Sequence, residues 1–174
     1  MAELYFIANG AAPTTAAQLL SDTGTAIKTL LQVKLSDTGQ MRAKVVEWGI
    51  SFSGFAAAAP IACELFGNTA AATVTAHVAA GIVNLDPLAA APTDDNPFDL
   101  SANTTGWMST GASGGEGTPA GVRMMDLQQI APTNQYIKQW PLGREPQFGD
   151  VEYLRVRVTA AASVSVYTYL IIEV

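Results

Sequence analysis

The residues most able to do chemistry are two Asp-Thr-Gly triplets, Asp22-Thr23-Gly24 and Asp37-Thr38-Gly39. Paired loops of this kind can bring two carboxylates together so that they share a proton and activate water. Here each triplet follows a serine (Ser21, Ser36), where that machinery carries a hydrophobic residue. The triplets also flank one predicted strand, and a strand rises ~3.3 Å per residue, so its two ends cannot meet. Both are read as turns, with Asp opening and Gly closing. His77 is the one histidine and Cys63 the one cysteine. A zinc site needs a cluster of such ligands, and a Ser-His-Asp triad of the Gly-x-Ser-x-Gly type lacks its elbow. His77 sits in a Thr/Val alternation and Cys63 in Ile61-Ala62-Cys63-Glu64-Leu65, both strand contexts. Glycines 111, 114, 115, 117 and 121 lack the Gly-Lys-Ser/Thr ending of a phosphate loop. Asp86, Asp94, Asp95 and Asp99 carry oxygen ligands but not the spacing of a calcium loop. The expectation is no catalytic residue, no metal and no cofactor: a protein that is not an enzyme.

The elements that would position these groups are strands. Residues 26–35 alternate, with Ile27, Thr29, Leu31, Val33 and Leu35 on one face and Lys28, Gln32 and Lys34 on the other. A turn at 36–40 leads into residues 41–55, where Lys44, Val46, Trp48, Ile50 and Phe52 share a face; the two segments read as a β-hairpin. Further strands are expected at 4–8, 61–66, 72–83, 123–130, 135–140, 152–159 and 164–174. The last is uncharged but for Glu173 and strongly β-prone, so it must be central in its sheet or covered by a neighbouring subunit. Residues 14–20 read as a short helix, with Thr15 and Gln18 at capping-box spacing. The sum is an all-β, jelly-roll-like sandwich or barrel of about eight strands, with that short N-terminal helix.

The whole chain, 1–174, is read as a single β domain with an N-terminal segment at 1–25 and an extended acidic, glycine-rich loop or arm at 86–121. Loops this long are usually functional, and this one holds Phe98, Leu100, Trp107 and Met108, too apolar for a free linker. Hydrophobic residues make up 49% of the chain and charged residues only 14%, against roughly a quarter in ordinary domains. Interface cores are depleted in charge in the same way. A net charge of −6 opposes nucleic-acid binding. No apolar run reaches the ~20 residues of a membrane span, and the first residues lack the pattern of a signal peptide. Between Lys44 and Arg123 there is no basic residue but there are seven acidic ones. Arg155 and Arg157 lie on one predicted strand face, so an acidic middle could meet basic ends of a second copy.

Several stretches carry a resemblance: Lys44-Val45-Val46-Glu47-Trp48-Gly49-Ile50-Ser51-Phe52-Ser53-Gly54-Phe55, Ile130-Ala131-Pro132-Thr133-Asn134-Gln135-Tyr136, Pro141-Leu142-Gly143-Arg144-Glu145-Pro146 and Leu154-Arg155-Val156-Arg157-Val158. With them the chain resembles small β-rich structural proteins of tailed phages. The resemblance implies a virion protein, made in the host cytoplasm and placed on the capsid surface as a decoration (cement) protein. Its partners would be the major capsid protein and further copies of itself, with a trimer favoured. A tail, neck or fibre-associated role is the alternative, and a carbohydrate-binding sandwich, with Trp107 and Trp140 stacking on sugars, is a third. The candidate subunit or capsid contacts are Phe98, Leu100, Trp107, Met108, Trp140, Arg155 and Arg157.

Overall fold

Period-two burial runs through the strands. In the last of them Val166, Thr168, Leu170 and Ile172 are buried, while Ser165, Tyr167, Tyr169, Ile171 and Glu173 alternate with them on the other face. The computed structural model describes residues 2–12, 18, 21–36, 41–54, 59–86, 97–109 and 115–174. Its strands in chain order are β1 (Leu4–Ala8), β2 (Ser21–Asp22), β3 (Lys28–Lys34), β4 (Arg42–Ser53), β5 (Ile61–Asn68), β6 (Val74–Ala76) and β7 (Ile82–Asn84). They continue as β8 (Gly106–Ser109), β9 (Arg123–Ile130), β10 (Gln135–Gln139), β11 (Gln147–Gly149), β12 (Tyr153–Thr159) and β13 (Ser165–Glu173). Among the described residues there is no α-helix, and no helix is long and apolar enough to cross a membrane. The helix expected over 14–20 lies outside the described residues, Gln18 apart.

The strands form two antiparallel sheets. One has the order β10-β4-β13-β1-β7, with β2 and β11 pairing along β13 and β4; the other runs β6-β8-β3-β12-β5-β9. Eight strands make the frame, β1-β13-β4-β10 facing β3-β12-β5-β9. The first four of these in sequence (β1, β3, β4, β5) pair in turn with the last four taken backwards (β13, β12, β10, β9). That is the double Greek key of a jelly-roll sandwich, and the sheets do not close into a barrel. Trp48, Leu65, Val156, Leu154 and Leu170, all fully buried, fill the space between the sheets.

Three expectations are corrected. β3 and β4 are not a hairpin: they lie in opposite sheets, because each is claimed by a strand from the C-terminal half. The strand expected over 72–83 is cut by a 3₁₀ turn at Ala79–Gly81, where the chain crosses from one sheet (β6) to the other (β7). The predicted faces of β3 and β4 also fail beyond a β-bulge in each. Opposite β12 the pairing skips Leu30, so Thr29 falls opposite Arg157, away from the face that carries Leu31 and Val33. Opposite β13 it skips Val46, so Val45 rather than Lys44 joins Trp48, Ile50 and Phe52 in the core. One inserted residue inverts the alternation on one side of the insertion. The terminal strand β13 is central, flanked by β1 and β4, which resolves its edge problem within the chain.

Candidate functional site

The outer face of the β3-β12-β5 sheet holds a buried polar cluster. Its centre is Arg155, 0% exposed, and Glu116, 4% exposed. Arg155 Nη2 donates to Glu116 Oε2 at 2.5 Å and to the Glu116 carbonyl at 3.1 Å. Its Nε donates to Thr29 Oγ1 at 3.0 Å. The Glu116 carboxylate also accepts from Thr29 Oγ1 (2.7 Å), Ser109 Oγ (2.6 Å) and the Thr29 amide. Phe66 lies under both Arg155 and Arg157, their guanidinium carbons 5.4 and 4.5 Å from its ring centre. Burial lowers the Arg155 pKa from its ordinary value, and the Glu116 charge opposes that. Arg157 Nε donates to Glu64 Oε2 at 2.7 Å. The acidic middle and the basic flank therefore meet inside one chain. Arg155 is corrected as a contact residue: the segment carrying Glu116 covers it.

The other anticipated contacts divide by burial. Phe98 is corrected too: at 2% exposed it belongs to the core, bridging Leu35 and standing edge-on to Tyr5 at 5.2 Å. Leu100 and Trp140 pack partly buried against the core. Trp107 lies on β8 with its ring 4.6 Å from that of His77. Met108 has φ +50 and is the residue skipped in the β6–β8 pairing, a bulge position. Of the loop expected at 86–121, the described part thus contains a strand and lies against its own sheet. Asp37-Thr38-Gly39, Asp94 and Asp95 lie outside the described residues.

Two of the sequence's reactive groups are quiescent. The His77 ring is buried and its Nε2 donates to the Ala8 carbonyl at 2.9 Å. Burial pulls its pKa down to about 4, so it is neutral at pH 7 with Nδ1 unpartnered. Burial pushes the Cys63 thiol up to about 12, far from a nucleophilic thiolate. Among the described residues no group of three or more His, Cys, Asp or Glu side chains could hold a metal ion. Asp126, inside the open side of the sandwich, accepts from Trp48 Nε1 at 3.0 Å and Tyr136 OH at 2.9 Å, tying β9 to β4 and β10 across the two sheets.

Two surfaces stand out, and neither was anticipated. At one end of the sandwich a groove of about 730 Å³ is lined by Met41 and Arg42 before and on β4, Arg123 on β9, and Gln147 to Glu152. Arg123 forms a two-point pair with Glu152 (2.7 and 2.6 Å) and also donates to the Gln147 carbonyl. That pair holds the Glu152 carboxyl below its usual range. Asp150 is buried, and its Oδ2 has no hydrogen-bond partner. Arg42 is exposed and makes no ion pair among the described residues. The second surface is the outer face of β1-β13-β4-β10. Phe6 stacks on Tyr169 at 5.4 Å, and Tyr169 lies over Gly49, where a Cβ would stand 2.3 Å from its ring. Tyr169 OH donates to Glu47 at 2.6 Å and Tyr167 OH to the Gln18 carbonyl at 2.5 Å. Ile137, 55% exposed, borders the same face. The aromatic alternation of β13 was visible in the sequence; that no further sheet or helix covers it among the described residues was not.

No protein-family model matches this sequence, and neither a curated protein nor a solved structure is significantly similar to it.

Proposed function

We propose that this protein is a structural component of a larger particle, a capsid decoration protein of the tailed-phage kind that binds a capsid surface and neighbouring copies of itself. The observation that supports it most is the character of the exterior. Arg155 and Arg157 direct their charge at Glu116 and Glu64 of the same chain. What faces outward on the first sheet is largely aromatic, aliphatic and amide (Phe6, Tyr167, Tyr169, Ile137 and Gln135), and the charges beside them, Glu47 on Tyr169 and Glu173 on Lys44, are taken up within the chain. On the second sheet Val122, Met124 and Leu127 are exposed on and beside β9, which has one unpaired side among the described residues. Exposed apolar groups at a strand with a free side are sites for another chain. The jelly roll itself occurs in viral capsid and lectin domains alike, so the fold agrees with this role without selecting it.

The test is co-sedimentation of the purified protein with tailed-phage capsids lacking a decoration layer, followed by counting copies per particle. Saturating binding with copies in the hundreds supports decoration. A handful of copies at one vertex means a neck or tail component, and no binding overturns the virion reading. The flat Phe6–Tyr169 platform with Glu47, Ser51 and Gln135 beside it favours a second reading, a carbohydrate-binding module, because ring faces flanked by hydrogen-bonding side chains suit sugars. A glycan array with wild type and Tyr169→Ala checks it, and equal signals from the two discard it.

A further inference from the structure

On the side of the sandwich where Asp126 sits, the two sheets end in β9 and β10, and these edges differ. On β9 the Leu127 amide donates to Asp126 Oδ1 at 3.0 Å, and the pairing with β5 skips Met125, so its ladder is interrupted. β10 is regular: Gln135 to Gln139 pair with Ser51 to Glu47 without a register shift. Its phase is fixed at both ends. The Asn134 carbonyl accepts from the Phe52 amide, and the Trp140 amide donates to the Val46 carbonyl, so the even-numbered residues turn their backbone groups to β4. Along an antiparallel strand those groups alternate in direction. The amides and carbonyls of Gln135, Ile137 and Gln139 therefore point away from the sheet. No strand pairs with that side among the described residues. All three residues are exposed, Ile137 at 55%.

We infer that β10 is a two-fold docking edge, on which β10 of a second copy of this chain pairs antiparallel with Ile137 opposite Ile137. This rests on the reading of the protein as a self-associating component. The order of residues picks the occupant: Gln135-Tyr136-Ile137-Lys138-Gln139 matches its own reverse. Centred on Ile137, amide side chain meets amide side chain (Gln135 with Gln139), apolar meets apolar, and Lys138 meets Tyr136. A two-fold contact requires such a match, because residue i touches j while j touches i. Another protein's strand could use the same backbone groups but would lack this correspondence. The facing pairs 135–139, 137–137 and 139–135 each exchange two backbone hydrogen bonds, about six in all. A lysine on an edge commonly repels a further strand. Here the Lys138 ammonium is held within the chain, 3.8 Å from Asp126 and 5.6 Å from the Trp140 ring centre. Tyr136 donates to Asp126 at 2.9 Å, so the second copy brings its own Tyr136–Asp126 pair opposite that ammonium. Sliding the register by two residues sets Ile137 against glutamine, and Pro132 and Pro141, which lack amide hydrogens, bound the strand on either side. The contact joins copies in pairs, not in the trimer that the sequence resemblance implies.

Sedimentation velocity over a concentration series tests it, with wild type and Ile137→Lys. Ile137 is exposed, so the variant keeps its fold, and two like charges then face each other across the two-fold axis. Wild type should form dimers, and the variant should bind itself at least about tenfold more weakly. Single cysteines in a Cys63→Ala background read the register directly. Ile137→Cys should give a disulfide-linked dimer on a non-reducing gel under mild oxidation, since facing residues lie within reach of a disulfide. Gln135→Cys should not, because the two copies of position 135 stand ~13 Å apart along the strands. Gln135→Cys combined with Gln139→Cys should cross-link again. Ile137→Lys associating as tightly as wild type, or Gln135→Cys cross-linking as readily as Ile137→Cys, would overturn the paired edge while leaving self-association intact. A wild type that is monomeric throughout overturns the edge as well, and capsid co-sedimentation then judges the decoration reading separately.

Discussion

Replacing Glu116 with alanine removes the acceptor on which a whole buried cluster depends. Four donors end on that carboxylate: Arg155 Nη2, Thr29 Oγ1, Ser109 Oγ and the Thr29 amide. Arg155 already has Nη1 without a partner, so losing Glu116 leaves a fully buried cation with only Thr29 Oγ1 and any remaining carbonyl contact. Breaking a buried pair by deleting one member costs about 3–5 kcal/mol. An orphaned amide such as that of Thr29 adds ~1–3 kcal/mol, part of it overlapping. Against a total stability of roughly 5–15 kcal/mol, a loss near 4 kcal/mol is severe. At a urea dependence of ~2 kcal/mol per molar, the unfolding midpoint should fall by about 2 M. Equilibrium urea unfolding followed by tryptophan fluorescence measures this. The double variant Glu116→Met/Arg155→Met should recover most of the loss, since a packed apolar pair of similar size often equals a buried ion pair. A loss under about 1 kcal/mol for Glu116→Ala would refute the reasoning. It would mean that the segment around Glu116 does not seat on the sheet and that Arg155 is reached by water.

Other outcomes follow from single groups. The folded His77 takes up a proton near pH 4 and the unfolded one near 6.5. Between those values the unfolded state holds more protons, so stability falls as pH drops through that window, by about 3 kcal/mol from this residue; His77→Gln should flatten that part of a pH-stability profile. Cys63, with its thiol near 12 and its side chain buried, should resist a thiol reagent at pH 8 in the native protein and react on unfolding. Gly49→Ala should destabilise by ~1–3 kcal/mol through the clash with Tyr169. Most of that cost should vanish in a Tyr169→Ala background, as a double-mutant cycle of thermal or urea unfolding would show.

Much of the fold was legible one segment at a time. Strand positions at 4–8, 123–130, 135–140 and 164–174 follow from alternation and turn residues, because burying one face of a strand demands period two. The class, all-β and sandwich-like, follows from counting such segments. Pairing was not legible. β3 and β4 are neighbours in sequence with turn-forming residue types between them, yet they part into opposite sheets because β12 and β13, more than a hundred residues on, supply their partners. The bulges at Leu30 and Val46 were equally silent, since an inserted residue changes no composition; it only reverses which side chains are inside.

The candidate contacts show the same division. Sequence alone determined that Phe98, Leu100, Trp107 and Met108 are too apolar for a free loop and that Arg155 and Arg157 share a face with no acid next to them in the chain. Only tertiary structure decided where those groups find their partners. Phe98 reaches Leu35 across 63 positions of sequence, and Arg155 reaches Glu116 across 39. Local residue patterns report the solvent preference of each side chain. Which partner a buried charge meets, and which groups such as Met41, Arg123 and Val151 end up on one rim, depends on how distant strands are stacked.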